Sequence, residues 1–185
     1  MRRSAIAALT GLVLAVAVAV SVAQQSEPTF APAPPGKNYG RMHFETKLGS
    51  FRVINGEGQF RMTFKGTVLV SQHQDGVLNV SGNVRKEIDE RGRKVFFGQG
   101  RLEATGRWRA IQWFGRDMSA DWFGAGMVQL KGEFDKDLNT GTFWVDDPKQ
   151  IQYWQTSLIT VLLPNPAGQD SQEPIERSAA PNQGR

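Results

Sequence analysis

The segment GQGRLEATGRW, from Gly98 to Trp108, returns as GAGMVQLKGEF, from Gly124 to Phe134. Both copies follow the pattern G-x-G-x-Φ-x-Φ-x-G-x-Φ, where Φ is apolar, and a looser copy occupies residues 56–68. In each copy the glycines and the apolar residues have the same parity, so in a β-strand they share one face. The repeat therefore predicts strands whose inner face carries both glycine and apolar side chains.

A phosphate-binding glycine loop is the alternative interpretation of this repeat. Such a loop follows a strand and opens a helix, whereas here the alternation continues through the glycines and no helical periodicity follows. Glycine inside a strand usually marks a bend, a bulge or a close approach of another backbone. We therefore expect a tightly curled sheet in which Trp108 and Phe134 fill the space beside Gly106 and Gly132.

Alternation with a period of two dominates the chain between Tyr39 and Leu163. Turn-forming residues separate the alternating segments at positions 74–76, 89–92 and 137–141, which predicts antiparallel hairpins. Residues 151–163 fit either a helix or a strand, and we favour a closing strand. The predicted fold class is all-β, with antiparallel sheets curled into a β-sandwich, a jelly roll or a folded-over β-taco.

The first 23 residues have the pattern of a secretory signal peptide. Arg2 and Arg3 precede an apolar run, and Ser21-Val22-Ala23 supplies the small residues of a cleavage site. An uncleaved membrane anchor is the alternative, and it would be the protein's only contact with a membrane. Three further segments are predicted: a Pro-rich disordered linker at residues 24–37, the all-β domain at 38–163 and a disordered tail at 164–185. The expected location is the periplasm, the cell surface or the extracellular medium.

The charge balance argues against nucleic acid as a partner. The chain has 22 Lys and Arg against 18 Asp and Glu, and its net charge of +4 falls to +2 once Arg2 and Arg3 are removed. The charges are interspersed, whereas a nucleic-acid-binding protein would show a basic patch interleaved with aromatic residues. The absence of Cys excludes disulfides, a lipoprotein anchor and thiolate metal sites.

The sequence offers little support for catalysis. Its only histidines are His43 and His73, and no HExxH motif or Ser-His-Asp spacing occurs. We therefore expect neither an enzyme nor a cofactor. Asp135, Asp137 and Asn139 space oxygen ligands as a calcium loop does, but Gly141 comes one position late for an EF-hand. We favour a plain hairpin turn there and predict no metal site.

The curled strands from Gly56 to Phe134, with glycine and apolar residues on their inner face, resemble the OstA-like family of periplasmic lipopolysaccharide-transport proteins. The resemblance implies a β-jellyroll groove that carries the acyl chains of a lipid, and it brings no catalytic residues with it. The Trp-rich segment from Arg109 to Gly126 departs from that family's pattern.

Two Trp-Phe pairs, Trp113-Phe114 and Trp122-Phe123, lie between the two repeat copies. Adjacent residues of a strand face opposite sides, so one aromatic of each pair is exposed unless another layer covers it. Unless a bulge intervenes near Ile111, strand parity predicts that Trp113 and Phe123 are exposed and that Phe114 and Trp122 are buried. The alternative is that all four belong to a second core, or to a long loop folded back over the sheet.

Exposed aromatic rings beside guanidinium groups can bind a sugar, a lipid or a partner protein. The predicted ligand-binding residues are Trp113, Phe123, Arg107, Arg109 and Arg116. The sequence thus predicts an exported, non-enzymatic binding or transport module for an envelope lipid or glycan. The alternative is a structural or assembly protein of a surface layer or envelope complex, joined to another envelope protein through strand edges.

Overall fold

The structure, a computed structural model, describes residues 29–164, in which there are six β-strands and no helix. The strands are β1 (Gly40–Gln74), β2 (Leu78–Ile88), β3 (Lys94–Gly132), β4 (Thr142–Val145), β5 (Gln152–Tyr153) and β6 (Ile159–Leu163). All of their pairings are antiparallel, and they form one sheet that is not closed. The prediction of an all-β domain is confirmed, and so is the preference for a strand near the end of the domain.

No helix within residues 29–164 is long and apolar enough to cross a membrane. The predicted signal peptide and C-terminal tail lie outside the described residues, apart from Pro164.

The two long strands, β1 and β3, pair with each other along both of their edges. Gly58 of β1 lies opposite Gly106 on one side and opposite Gly124 on the other, while Gly124 lies between Gly58 and Gly40. One strand can flank the same neighbour twice only if it turns back on itself. We conclude that β1 and β3 wind together as a two-stranded ribbon, which leaves an edge of β2 unpaired at one end of the sheet.

Side-chain contacts within β1 support this winding. Phe44, Phe51 and Phe60 contact one another, with ring centroids 5.0, 5.9 and 6.2 Å apart. In a straight strand, with a rise of about 3.3 Å per residue, Phe44 and Phe60 would be roughly 50 Å apart. The strand therefore wraps around a core to which these three rings belong.

Nine glycines, six of which belong to the repeat copies, lie in two rows that cross the strands. The first glycine row is Gly40, Gly124, Gly58 and Gly106, and the second is Gly132, Gly49, Gly115, Gly66 and Gly98, each in order across the sheet. A Cβ atom on Gly58 would overlap the carbonyl oxygen of Phe123 on the neighbouring strand. The rows mark close backbone approaches where the ribbon bends, which is the role that the sequence pattern predicts for them.

The alternation of β3 shifts by one residue in its middle. Ala110 and Ile111 are adjacent and both buried. In this part of the strand the buried positions are even-numbered up to Ala110 and odd-numbered from Ile111 to Trp113. Trp113 is therefore fully buried, and Phe114 is 47% exposed. The prediction that Trp113 is exposed and Phe114 buried is wrong, because a one-residue shift moves each side chain to the other face.

The expectations for the other aromatic residues are partly met. Trp122 and Trp108 are buried as predicted, and Phe123 points outward. Phe134 was expected to fill the core beside Gly132, but it is 41% exposed. The buried Trp154 instead lies against Gly132, where a Cβ atom would come within 2.9 Å of its ring. Its indole nitrogen donates a hydrogen bond to the Thr142 carbonyl at 3.1 Å.

Candidate functional site

The main candidate site is a groove of about 480 Å³ beside the first glycine row, here called the corner groove. β1 borders it twice, once around Asn55 and again between Gln72 and Gln74, and the Arg107–Arg109 segment of β3 completes it. Asn55 and Gln72 have positive φ angles of 49° and 46°, which mark irregular backbone at the two places where β1 meets the groove. The lining of the groove includes three amide side chains, those of Asn55, Gln72 and Gln74. It also includes three charged side chains, those of Glu57, Arg107 and Arg109.

Two of the charged side chains in the corner groove are neutralised by partners outside it. Arg107 forms an ion pair with Asp75. Glu57 accepts a hydrogen bond from Lys37 Nζ at 2.9 Å, with 21% of the Glu57 side chain exposed. The Arg109 side chain is exposed, and it forms no ion pair or hydrogen bond with any of residues 29–164. Among the described residues, the groove therefore holds one positive charge that no carboxylate compensates.

Trp108 lies in the wall of the corner groove and is only 2% exposed. Its ring packs against Phe60 and Trp122, with centroid distances of 6.2 and 6.5 Å, and Gly56 leaves room for its nitrogen-bearing edge. The indole nitrogen is buried and has no hydrogen-bond partner among the described residues. A buried N–H group without a partner costs about 1–3 kcal/mol and is uncommon in folded proteins.

The segment Thr29–Tyr39, here called the strap, lies on the outer face of the sheet next to the corner groove. Its Phe30 ring stacks on Phe123 at 5.8 Å, and the Tyr39 ring meets Phe123 edge-on at 5.5 Å. The side-chain amide of Gln59 donates to the Ala31 carbonyl and accepts from the Ala31 N–H, at 2.7 and 2.9 Å. Residues 29–37, predicted to be part of a disordered linker, thus make specific contacts with the domain.

A tight turn in the strap brings Lys37 to the groove. The Lys37 N–H donates a hydrogen bond of 3.0 Å to the Pro34 carbonyl, and Gly36 has a φ of 76°, in a Pro-Pro-Gly-Lys sequence that suits such a turn. Lys37 reaches Glu57 from this turn. The strap therefore supplies one of the charges that set the electrostatics of the corner groove.

The structure brings together only part of the predicted site. Arg107 and Arg109 both line the corner groove. Phe123 lies on the outer face under the strap, and Arg116 is exposed at the second glycine row, opposite Leu48 and Lys65. Trp113 is inside the core, stacked on Phe51 at 6.0 Å, where it cannot form an exposed platform.

Sequence reasoning missed the amide side chains of the groove and the role of Lys37. The Asn55-Gly56 pair is a turn signal, but it lies inside a long alternating segment and was not interpreted as a site. Gln72 belongs to no motif, and Gln74 belongs only to the turn signal at positions 74–76. Lys37 was placed in the linker because its Pro-rich surroundings lack residues that could form a core.

A second polar cluster, centred on His43, occupies the outer face of β1. His43 Nδ1 lies 3.0 Å from Asp121 Oδ1, its Nε2 lies 3.9 Å from Glu45 Oε2, and its ring stacks on Trp144 at 5.7 Å. Burial lowers the His43 pKa, but the two carboxylates outweigh it and raise that pKa to about 9. Contact with His43 holds the pKa of Glu45 below its usual value. The imidazolium is therefore a fixed positive charge at neutral pH.

The segment Asp135–Gly141 forms a turn. Asp135 pairs with Thr140 through two backbone hydrogen bonds of 2.9 Å, and its carboxylate accepts bonds from the N–H groups of Asp137 and Leu138. That carboxylate is committed to shaping the turn, as the preferred interpretation predicts. Within residues 29–164, no group of three or more His, Cys, Asp or Glu side chains could hold a metal ion.

Comparison of the chain with protein-family models, curated proteins and solved structures finds no match in any of the three.

Proposed function

We propose that this protein is an exported, non-enzymatic binding module of the cell envelope, and that its ligand is a glycan held in the corner groove. The observation that carries this proposal is the convergence of Asn55, Gln72 and Gln74 with the unpaired Arg109 in one groove. Sugar hydroxyls require both donors and acceptors, and the amide side chains supply both while the guanidinium group supplies donors. A groove of about 480 Å³ has the size of an ordinary small-molecule site.

A glycan suits this groove better than a lipid. Side chains fill the interior of the wound sheet, including fully buried Phe51, Phe60, Trp113 and Trp122. An acyl chain inside the sheet would have to displace such rings, and truncating one buried Phe or Trp to Ala already costs about 3–5 kcal/mol. The winding of β1 and β3 supports a jelly roll as the finer fold class. Because side chains fill its interior, this jelly roll would have a packed core and no groove for acyl chains.

Export is the part of this proposal that depends on the N-terminus, which lies outside the described residues. Arg2, Arg3 and the small residues before Gln24 support it. N-terminal sequencing of the protein recovered from its native cells should start at Gln24. A mature chain that starts at Met1 would contradict cleavage and favour an anchor.

Binding can be tested by titrating the mature chain with glucan, galactan and galacturonan oligomers and with phospholipid vesicles. Calorimetry should show saturable binding of at least one oligomer and none of the vesicles. Gln72→Ala and Gln74→Ala should each weaken oligomer binding about three- to tenfold, the effect of losing roughly one hydrogen bond. The matched control is Gln99→Ala, on an exposed part of β3 outside the groove. Binding of vesicles but of no oligomer would contradict the proposal.

One observation favours the alternative, an assembly protein. β2 pairs with β3 along one edge, and its other edge has no strand partner among the described residues. Unpaired edges can accept a strand from another chain. Sedimentation velocity over a range of concentrations separates the two functions. Assembly predicts self-association that Lys86→Pro abolishes, because the Lys86 N–H faces the unpaired edge in the β2–β3 register. A binding module stays monomeric.

A further inference from the structure

We propose that the corner groove is selective for an acidic sugar, that Arg109 binds the ligand's carboxylate, and that the docked strap maintains this selectivity through Lys37. The inference rests on the proposed function, since it names the ligand class of the same groove. It adds a role for a segment of the chain that lies outside the groove itself.

The charge balance of the groove supports an anionic ligand. Glu57, Arg107 and Arg109 are the charged residues in its lining. Lys37 compensates Glu57 and Asp75 compensates Arg107, so that within residues 29–164 only Arg109 of these three is left without a partner of opposite charge. One uncompensated guanidinium matches one carboxylate.

Arginine is well suited to binding a carboxylate. Its planar guanidinium donates two parallel hydrogen bonds to a carboxylate, and charge-assisted bonds of this kind are roughly twice as strong as neutral ones. The neighbouring amides of Gln72 and Gln74 are available to hydroxyl groups beside the carboxylate. A uronic acid carries both a carboxylate and hydroxyl groups on one ring, whereas a neutral hexose offers Arg109 only hydroxyl groups and no opposite charge.

The strap controls the charge of the groove because it carries Lys37. Phe30, Ala31 and the Pro34–Lys37 turn hold the strap on the sheet, and the turn directs Lys37 to Glu57. If the strap detaches, the Glu57 carboxylate loses its partner while still facing the groove. Its negative charge then opposes that of the ligand, so that strap release lowers the affinity for an acidic sugar but not for a neutral one.

Thermodynamic reciprocity gives the coupling a second signature. If the docked strap strengthens binding of the acidic ligand, the ligand must stabilise the docked strap by the same factor. Hydrogen exchange at the Ala31 N–H, which bonds to Gln59, reports on this docking. A saturating acidic ligand should slow that exchange.

The experiment compares galacturonan and galactan oligomers of equal length, which differ in the carboxylate, on the mature chain by calorimetry at low salt. The wild type should bind galacturonan at least tenfold more tightly. Arg109→Gln should abolish that preference through about a tenfold loss of affinity for the acidic oligomer, so that galacturonan and galactan then bind about equally. Lys37→Gln should weaken galacturonan binding about two- to fivefold, as expected for an exposed ion pair.

A double substitution isolates the role of Glu57. Lys37→Gln combined with Glu57→Gln removes both charges, so galacturonan binding should return to the wild-type value. The control is Lys65→Gln, which breaks the comparable exposed pair with Asp117 outside the groove and should have no effect. Hydrogen exchange at Ala31 should slow with galacturonan in the wild type and not in Arg109→Gln.

The outcomes separate the two proposals. Equal affinity for both oligomers overturns the acidic-sugar inference and leaves a glycan-binding module standing. Acidic preference that persists unchanged in Lys37→Gln overturns the role of the strap. Failure to bind either oligomer overturns the inference together with the proposed function.

Discussion

At the scale of single residues, neighbours decide what His43 does. The side chain is 23% exposed and lies between the carboxylates of Asp121 and Glu45, with the Trp144 ring against it. Glu45 in turn accepts a hydrogen bond of 3.3 Å from the Thr142 hydroxyl, and Arg61 lies opposite Asp121 on the next strand. The cluster links β1, β3 and β4 on the outer face of the sheet.

The first prediction concerns the pH dependence of stability. The folded-state pKa of His43 is about 9 and the ordinary value is 6.5, so the folded protein binds the proton more tightly. The stabilisation is complete below pH 6.5 and is lost as the pH rises through 9. Urea denaturation should show the free energy of unfolding falling by about 2–3 kcal/mol over this range. His43→Gln should flatten the slope, whereas a slope that persists in this variant and vanishes in His73→Gln would contradict the assignment.

The second prediction concerns Gly58. Its φ of 115° is rarely adopted by other residues, and a Cβ atom there would also come within 2.6 Å of Gly124 Cα. Gly58→Ala should therefore lower the free energy of unfolding by about 3 kcal/mol, combining backbone strain with overpacking. Gly92→Ala is the matched control, because Gly92 has a φ of 71° but open space around it, and it should cost about 1 kcal/mol. Equal losses in urea denaturation would show that crowding at the glycine row contributes nothing.

At the scale of elements, the strap is docked on the sheet although its composition predicts a flexible linker. Prolines and a lack of aliphatic residues indicate a flexible linker. Phe30 changes this, because its ring stacks on Phe123 and also lies 6.0 and 5.2 Å from the guanidinium groups of Arg41 and Arg61. Phe30 thus anchors the N-terminal part of the strap, in addition to the hydrogen bonds of Ala31 and the ion pair of Lys37.

The third prediction is that Phe30→Ala releases the strap without unfolding the domain. Hydrogen exchange should rise at Ala31 and at Lys37, whose N–H groups bond to Gln59 and to the Pro34 carbonyl. The free energy of unfolding should fall by about 1 kcal/mol, the size of an aromatic pair interaction at the surface. Phe114→Ala, at an exposed aromatic with no ring partner among the described residues, should leave strap exchange unchanged. Rapid exchange of Ala31 already in the wild type would contradict a docked strap.

At the scale of the whole molecule, the winding of β1 and β3 makes the domain one cooperative unit. Gly40 pairs with Gly124 and Val70 with Lys94, so that neither long strand can leave without removing most of the sheet. The pairs that start the winding are far apart in sequence. The chain loses conformational entropy when it closes such long loops, and it does so before the strand contacts that compensate for this loss have formed.

The fourth prediction follows from this topology. Unfolding in urea should be a single transition, with coincident curves from tryptophan fluorescence and far-ultraviolet circular dichroism. Refolding followed by stopped flow should take about milliseconds to seconds, the range of proteins dominated by long-range strand pairing. Two separate transitions would show that the β2–β3 end unfolds independently of the rest.

Local sequence pattern determined the strands, their turns and the bending glycines. Alternation predicts a strand because successive side chains point to opposite faces, and turn residues end it through their own backbone preferences. Arg107 and Arg109 could be identified as candidate binding residues because alternation places them on the solvent-facing side of β3. Each of these inferences needs only residues within about ten positions of one another.

The tertiary structure alone decided the burial of Trp113, the alignment of the glycines into rows, the docking of the strap and the isolation of Arg109. The Ala110–Ile111 shift depends on how β3 fits against two passes of β1, and a one-residue slip exchanges the inner and outer faces. The charge of Arg109 becomes uncompensated only because Lys37 and Asp75 reach Glu57 and Arg107 across the fold. Such pairings join residues distant in the chain, and their energies depend on packing that no local pattern contains.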